Sequence, residues 1–175
     1  MSPTASSTTA GPATAATEGE ELVQLTAFRV GQEEYVVDIM RVREIIRPVP
    51  ITRVRKGPTF VEGVINLRGE VIPIIDLRRR FDLPAEETPS RKIIILTVEG
   101  RVLGLVVDAV TEVVRVPRNA IRVAPGLFDD HQAPYFLGVC QFKNRTLLLL
   151  NVKSVVATDE SIDVVGAAIA ARSDI

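Results

Sequence analysis

Three small groups of residues carry the side chains with which this chain could do chemistry. Asp129, Asp130 and His131 stand together in one polar loop and could contribute ligands to a metal ion. Adjacent residues of this kind in a polar loop are more often simply solvated. Cys140 is the single cysteine, and His131 is the single histidine that could act as its base. A small buried apolar side chain is the simpler interpretation of Cys140.

Asp76 and Asn151 occupy matching positions in an internal repeat and form a third candidate. Two carboxylates facing each other across such a repeat could share a proton, as in an aspartic protease. An aspartate and an asparagine cannot form that dyad, whereas both are good helix N-caps. The sequence also contains no glycine-rich phosphate loop. We therefore expect no enzymatic activity, no cofactor and no metal.

The repeat is the main clue to how these residues are positioned. Residues 63–78 (GVINLRGEVIPIIDLR) recur in chemical type as residues 138–153 (GVCQFKNRTLLLLNVK). Only the leading Gly-Val pair is identical, but Arg68 matches Lys143 and Gly69 matches Asn144. A second echo lies upstream, where residues 44–47 (EIIR) recur as residues 112–115 (EVVR). A chain of two related halves has a seam, and ligands and partners commonly bind at such seams.

Each copy predicts a strand, a two-residue turn, a returning strand and a capped helical turn. Gly69 and Asn144 suit the turns, because glycine and asparagine most readily adopt positive φ. The returning strands are apolar at nearly every position, which is typical of strands covered on both faces. Further hairpins are predicted over residues 22–37 and 91–107, whereas residues 38–46 fit either a brief helix or a strand. The arginines at positions 78–80 are predicted to form a solvated helix face.

Composition limits the class of protein. Residues 1–21 are rich in Ser, Thr, Ala, Pro and Gly, which predicts a disordered N-terminal tail. The globular unit is predicted over residues 22–156, followed by a C-terminal tail, 157–175, whose alanine-rich part suits a short helix. The 21 basic and 22 acidic residues argue against nonspecific nucleic-acid binding. No apolar stretch approaches the ~20 residues of a membrane span and no secretory signal is present, so a cytoplasmic location is predicted.

Four motifs together carry a resemblance to a known family. They are GVINLRG at 63–69, VIPIIDLR at 71–78, LVVDAV at 105–110 and YFLGV at 135–139. With them the chain resembles the CheW family of chemotaxis coupling proteins from about residue 22 to residue 156. The resemblance implies a mainly β fold of two SH3-like five-stranded β-barrel subdomains with short helices.

The same resemblance implies a non-enzymatic adaptor. Family members join the cytoplasmic tip of chemoreceptors to the regulatory domain of the histidine kinase CheA, at membrane-associated receptor arrays. A receptor hairpin is expected in the groove between the subdomains. The receptor-side positions carried over to this chain are Val42, Glu44, Gly63, Asn66 and Arg68, with Glu44 and Arg68 expected to form an ion pair. The kinase-side positions are Arg101, Leu103, Gly104 and Leu105, where the glycine permits close backbone approach or marks a β-bulge.

Two other functions remain open from the sequence. The first is a coupling protein of a non-flagellar chemosensory array that controls pili or a second messenger. The second is a β-barrel module that binds a small ligand or an oligonucleotide. Stacking of bases needs aromatic platforms. The chain has two tyrosines, six phenylalanines and no tryptophan, which weakens that second hypothesis.

Overall fold

The computed structural model describes residues 21–54, 57–123, 126 and 133–157, which form ten strands and two short helices. The strands are β1 Leu22–Val30, β2 Glu33–Asp38, β3 Val42–Ile46, β4 Val61–Leu67, β5 Glu70–Asp76, β6 Lys92–Val98, β7 Arg101–Val107, β8 Ala109–Pro117, β9 Phe136–Phe142 and β10 Arg145–Leu150, and the helices are α1 Leu77–Arg80 and α2 Val152–Val156. The predicted tails lie almost wholly outside the described residues. Within the described ranges, no helix is long and apolar enough to cross a membrane.

The strands form two five-stranded sheets, which confirms the predicted fold class. Subdomain 1 has the strand order β8-β1-β2-β10-β9, and subdomain 2 has the order β3-β6-β7-β5-β4. In each subdomain the central hairpin, β1–β2 or β6–β7, pairs in parallel on one side, β2 with β10 or β7 with β5. On its other side it pairs antiparallel, β1 with β8 or β6 with β3. Subdomain 1 therefore combines the first hairpin of the chain with the last three strands. The two sequence halves do not correspond to the two subdomains, because the halves exchange strands.

Each sheet is closed into a barrel by the segment that follows its edge strand. After β3 the chain reaches β4, where Thr52 and Val64 exchange two backbone hydrogen bonds of 2.9 and 2.8 Å. After β8 the same step pairs Arg122 with Val139 through two bonds of 2.8 Å. Closure satisfies backbone groups that an open sheet edge would leave unpaired.

The closing segments explain why Gly-Val is the one identical pair of the repeat. A Cβ at Gly63 would lie 2.1 Å from the Thr52 carbonyl oxygen, and one at Gly138 would lie 2.8 Å from the Arg122 carbonyl oxygen. Only glycine leaves room for the closing segment to cross the strand at this distance. The adjacent Val64 and Val139 then pair with that segment.

The core has three parts. Each barrel encloses its own cluster, with Ile72 and Ile74 of β5 in subdomain 2 and Leu147 of β10 in subdomain 1. The largest cluster lies between the barrels and contains Ile75 and Leu148 from the same two strands. The returning strands are thus covered on both faces, as their apolar sequences predict.

The predicted turns and caps are confirmed. Gly69 and Asn144 adopt φ of 85° and 62° in their hairpin turns. The Asp76 side chain accepts a hydrogen bond from the Arg78 N–H, and the Asn151 side chain accepts one from the Ser154 N–H. The ambiguous stretch resolves into a 3-10 turn, Ile39–Arg41, followed by β3.

The prediction of a solvated arginine face on α1 is wrong for two of its three residues. The Arg78 side chain is only 11% exposed and pairs with Asp108. The Arg80 guanidinium lies between the Phe60 and Tyr135 rings, 4.1 and 4.8 Å from their centroids. α1 packs into the seam between the barrels, so its cations find carboxylate and aromatic partners there instead of water.

Candidate functional site

The receptor-side residues expected from the resemblance gather at the edge of subdomain 2. Glu44 lies on β3 and Arg68 lies in the β4–β5 turn, at opposite ends of the strand order. Barrel closure brings them together, and the Arg68 Nη2 donates a hydrogen bond to Glu44 Oε2. The expected ion pair is present. The hydrogen bond to Glu44 and the charge of that carboxylate raise the pKa of Arg68.

A second ion pair connects the same two elements. Arg43 Nη1 of β3 lies 3.1 Å from Glu70 Oε2 at the start of β5. In this pair the arginine lies on β3 and the glutamate in the hairpin, whereas in the first pair the arginine lies in the hairpin and the glutamate on β3. They fix the position of the turn against the β3 edge. Each pair is solvent-exposed and contributes orientation more than stability.

The remaining receptor-side residues support this turn from within. Asn66 accepts a hydrogen bond from the Gly69 N–H at 2.9 Å, which stabilises the turn that presents Arg68. Gly63 permits barrel closure and has no side chain to offer a partner. Val42 is half-buried and packs against the cluster between the barrels. Of the five expected residues, Glu44 and Arg68 are the pair best placed for contact.

Sequence reasoning did not identify the exposed apolar residues beside this pair. Ile45 is 41% exposed on β3, and Met40, in the preceding 3-10 turn, is 86% exposed. The repeat places Val113 of β8, which is 49% exposed, at the position equivalent to Ile45. The signal was available in the EIIR and EVVR echo, since an apolar residue directly after a surface glutamate recurs in both copies.

Subdomain 1 repeats the ion-pair arrangement. Arg145 of β10 donates a hydrogen bond to Glu112 of β8, the residue that matches Glu44 in the repeat. Arg145 Nη1 also lies 3.4 Å from Glu34 Oε2 of β2. In both subdomains an arginine of the hairpin therefore bridges to the edge strand on the other side of the barrel.

The expected kinase-side residues divide into one exposed side chain and three interior positions. Arg101 is exposed at the start of β7. Leu103 and Leu105 are 1% and 0% exposed, because β7 is the central strand of its sheet. A Cβ at Gly104 would lie 2.6 Å from Ile74 Cδ1, and the strand register is unshifted there, so this glycine makes room for core packing and is not a β-bulge. A kinase contact on this strand stays a prediction, now carried by Arg101.

The candidate chemical groups provide no reactive cluster in the described part of the chain. Cys140 is 3% exposed inside subdomain 1, where burial raises the pKa of its thiol. A thiol with a raised pKa is a poor nucleophile. Among the described residues, no group of three or more potential ligands is placed to hold a metal ion. Asp129, Asp130 and His131 lie outside the described residues.

The two-barrel architecture and its motifs match one protein family. The family model for the CheW-like domain matches residues 24–160. The chain belongs to the CheW family. The chemotaxis protein CheW of Rhizobium meliloti (strain 1021) is 40% identical over 138 residues, which cover 78% of this chain and 89% of that protein. A probable chemotaxis protein CheW of Rhizobium etli is 37% identical over 139 residues, covering 79% and 90%.

A solved structure of the family supports the same assignment. The crystal structure of the scaffolding protein TtCheW from Thermoanaerobacter tengcongensis superposes with a TM-score of 0.75 at 29% sequence identity. The match covers 82% of this chain and 99% of that one. Membership in the CheW family and its mainly β fold, both expected from the motifs, are thereby confirmed.

Proposed function

We propose that this chain is a non-enzymatic adaptor that couples the cytoplasmic tip of chemoreceptors to the histidine kinase CheA in bacterial chemotaxis. It acts in the cytoplasm, at membrane-associated receptor arrays. Family membership supports this function. The structural observation that carries it is the exposed Arg68–Glu44 pair, built from the family motifs on the rim of a closed barrel. A rigid surface of this kind can bind a partner with little loss of conformational entropy.

The receptor side combines charge with apolar surface. The Arg68 side chain is 68% exposed, while its partner Glu44 is 28% exposed and holds the guanidinium in place. Ile45 and Met40 add exposed apolar area beside the pair. An amphipathic helical hairpin presents the complementary combination of apolar and charged side chains. The surface beside β3 is therefore the proposed receptor site.

The kinase side is proposed at the β6–β7 hairpin of the same barrel. Arg101 follows the turn, and Glu99 within the turn pairs with Lys153 of α2 at 2.9 Å. The hydrogen bond from Lys153, and then its charge, lower the pKa of Glu99. The turn therefore presents fixed charges of both signs, which suit a specific and salt-sensitive protein contact.

Co-sedimentation of the full-length protein with a chemoreceptor cytoplasmic fragment and CheA tests the adaptor function. Wild type is expected to form a ternary complex. Arg68→Glu should lose receptor binding by roughly ten-fold or more while retaining CheA, because it places two carboxylates together on the receptor face. Arg118→Glu is the matched control, since Arg118 is 67% exposed and also pairs with a surface glutamate, Glu21.

Three outcomes separate the possibilities. Receptor-specific loss in Arg68→Glu alone would support both the function and the site. Equal loss of receptor and kinase would indicate that the turn maintains the fold, which a thermal melt of the variant would detect. No binding of folded wild type to either partner would contradict the adaptor function.

A further inference from the structure

A cleft of about 730 Å³ opens at the seam between the two barrels. It lies between the β1–β2 turn, the segment that follows α1, and strand β10. Its lining includes none of the residues assigned to the receptor side or the kinase side. The volume is within the range of sites that bind small molecules or a few side chains of a peptide.

The floor of the cleft is aromatic. The Tyr35 ring stacks on Phe136 with centroids 5.8 Å apart and an interplanar angle of 12°, and on Phe81 at 5.4 Å. Leu148 of β10 completes this floor. Such a surface favours a large apolar or aromatic side chain, since stacking adds to the gain from burial.

The cleft also contains a polar group. Tyr35, which carries a phenolic hydroxyl, lines the cleft and is 5% exposed. Burial, with a smaller effect of the nearby Glu33 carboxylate, raises the pKa of Tyr35 to about 12, so the hydroxyl stays protonated at neutral pH. The hydroxyl can therefore donate a hydrogen bond to a carbonyl oxygen of an occupant.

The mouth of the cleft is negatively charged. Glu33 and Glu86 line it and are exposed. Arg78 is the one cation among the described lining residues; it is bonded to Asp108 at 2.8 and 2.6 Å, and its Nη2 lies at the longer distance of 3.7 Å from Oε2 of Glu86, whose side chain is 67% exposed. An occupant that brings positive charge beside its apolar side chain would meet complementary carboxylates.

The tails of the chain do not have that chemistry. Residues 158–175 contain Asp159, Glu160, Asp163 and Asp174 against the single cation Arg172. Residues 1–20 contain two glutamates and neither lysine nor arginine. Both tails would bring like charge to the mouth, so the occupant is expected to come from another molecule.

We propose that this cleft is a docking site for a linear segment of a partner protein that carries a large apolar side chain flanked by lysine or arginine. The apolar side chain covers Tyr35 and Phe81, a backbone carbonyl accepts from the Tyr35 hydroxyl, and the cations lie beside Glu33 and Glu86. This third surface goes beyond the adaptor function and leaves the receptor and kinase sides free.

The test uses the ¹⁵N-labelled full-length protein and two blocked tetrapeptides. One has the order lysine, leucine, phenylalanine, lysine, and the other carries glutamate in place of each lysine. The lysine peptide should shift the amide signals of Gly31 and Thr146 saturably. The glutamate peptide should bind roughly ten-fold more weakly, because like charges replace opposite charges at a partly screened surface.

Variants that keep the core packing test the chemistry. The double variant Glu33→Lys/Glu86→Lys should reverse the preference between the two peptides. Glu87→Lys is the matched control, because Glu87 adjoins Glu86 in sequence, is 92% exposed and does not line the cleft. Tyr35→Phe keeps the ring, and loss of the hydroxyl should weaken the lysine peptide by roughly two- to ten-fold.

The proposal is overturned by any of four results. The first is no saturable shift with the lysine peptide, and the second is equal binding of both peptides to wild type. The third is a marked gain in peptide binding on deletion of residues 158–175, which would show that the chain's own tail occupies the cleft. Retained preference in the Glu33→Lys/Glu86→Lys variant would likewise exclude these carboxylates as the determinants.

Discussion

Arg78 and Asp108 form a two-point ion pair at the seam between the barrels, with Nε to Oδ1 at 2.8 Å and Nη2 to Oδ2 at 2.6 Å. Asp108 lies where the chain crosses from β7 in one barrel to β8 in the other. Its carboxylate also accepts the Gly31 N–H of the β1–β2 turn at 2.8 Å. One carboxylate thus joins the helix, the crossover and the first hairpin.

We expect Asp108→Asn to destabilise the protein by about 3 kcal/mol, because the largely buried Arg78 guanidinium loses its main counter-charge and keeps only the more distant, exposed Glu86. Urea denaturation followed by circular dichroism gives the free energy of unfolding. Glu21→Gln serves as control, since it breaks the exposed pair with Arg118 and should change the free energy of unfolding far less. A loss equal to that of the control would show that the buried pair has little net effect on stability.

The same carboxylate predicts how stability depends on acid pH. Burial alone would raise the pKa of Asp108, but the hydrogen bonds from Arg78 and Gly31 outweigh it and hold the pKa below the ordinary 3.8. The stabilisation is therefore present above pH 3.8 and is lost as the pH falls through the depressed value. The free energy of unfolding of wild type should fall more steeply below pH 3.8 than that of Asp108→Asn. Parallel curves would contradict this assignment.

Exchanging the charges of the receptor-side pair distinguishes two roles for Arg68. If the ion pair mainly orients the β4–β5 turn, Glu44→Arg combined with Arg68→Glu should restore most of the receptor affinity that Arg68→Glu loses. Titration calorimetry with the receptor fragment measures both variants. If affinity is not restored, the result indicates that Arg68 contacts a receptor carboxylate directly. In the exchanged variant the glutamate at position 68 would then face that receptor carboxylate, and the two like charges would repel.

Two glycines of the repeat should differ in their tolerance of a methyl group. Gly63→Ala is expected to cost about 3 kcal/mol, because the new Cβ meets the Thr52 carbonyl oxygen and disrupts barrel closure. Gly69→Ala should destabilise the protein by about 1 kcal/mol. A Cβ at this position would have no atom within 4 Å, so the cost comes only from the positive φ of the residue. Thermal unfolding of both variants checks the order, which would be reversed if turn strain dominated.

Local features of the fold were predictable, because they depend on neighbouring residues. The turns at Gly69 and Asn144, and the caps at Asp76 and Asn151, follow from backbone preferences of single residue types. The exchange of strands was not predictable from pattern alone, since apolar periodicity shows that a strand is covered without identifying its neighbour.

The candidate site was predictable only where the family motifs indicated its residues. Glu44 and Arg68 followed from the family motifs, whereas the burial of Arg78 depends on a carboxylate thirty positions away. Leu103 and Leu105 could not be recognised as interior from their own strand, because its central place depends on β5 and β6. The exposure of Ile45 likewise depends on how the barrel closes around β3.

The exchange of strands makes the two sequence halves inseparable. A cut in the connection between α1 and β6 would leave one fragment with β1 to β5 and the other with β6 to β10, and neither would contain a complete barrel. When mixed in solution, the two fragments should associate, since each contains the strands that the other lacks. Two intact chains could also trade halves, which offers a direct route to a swapped dimer.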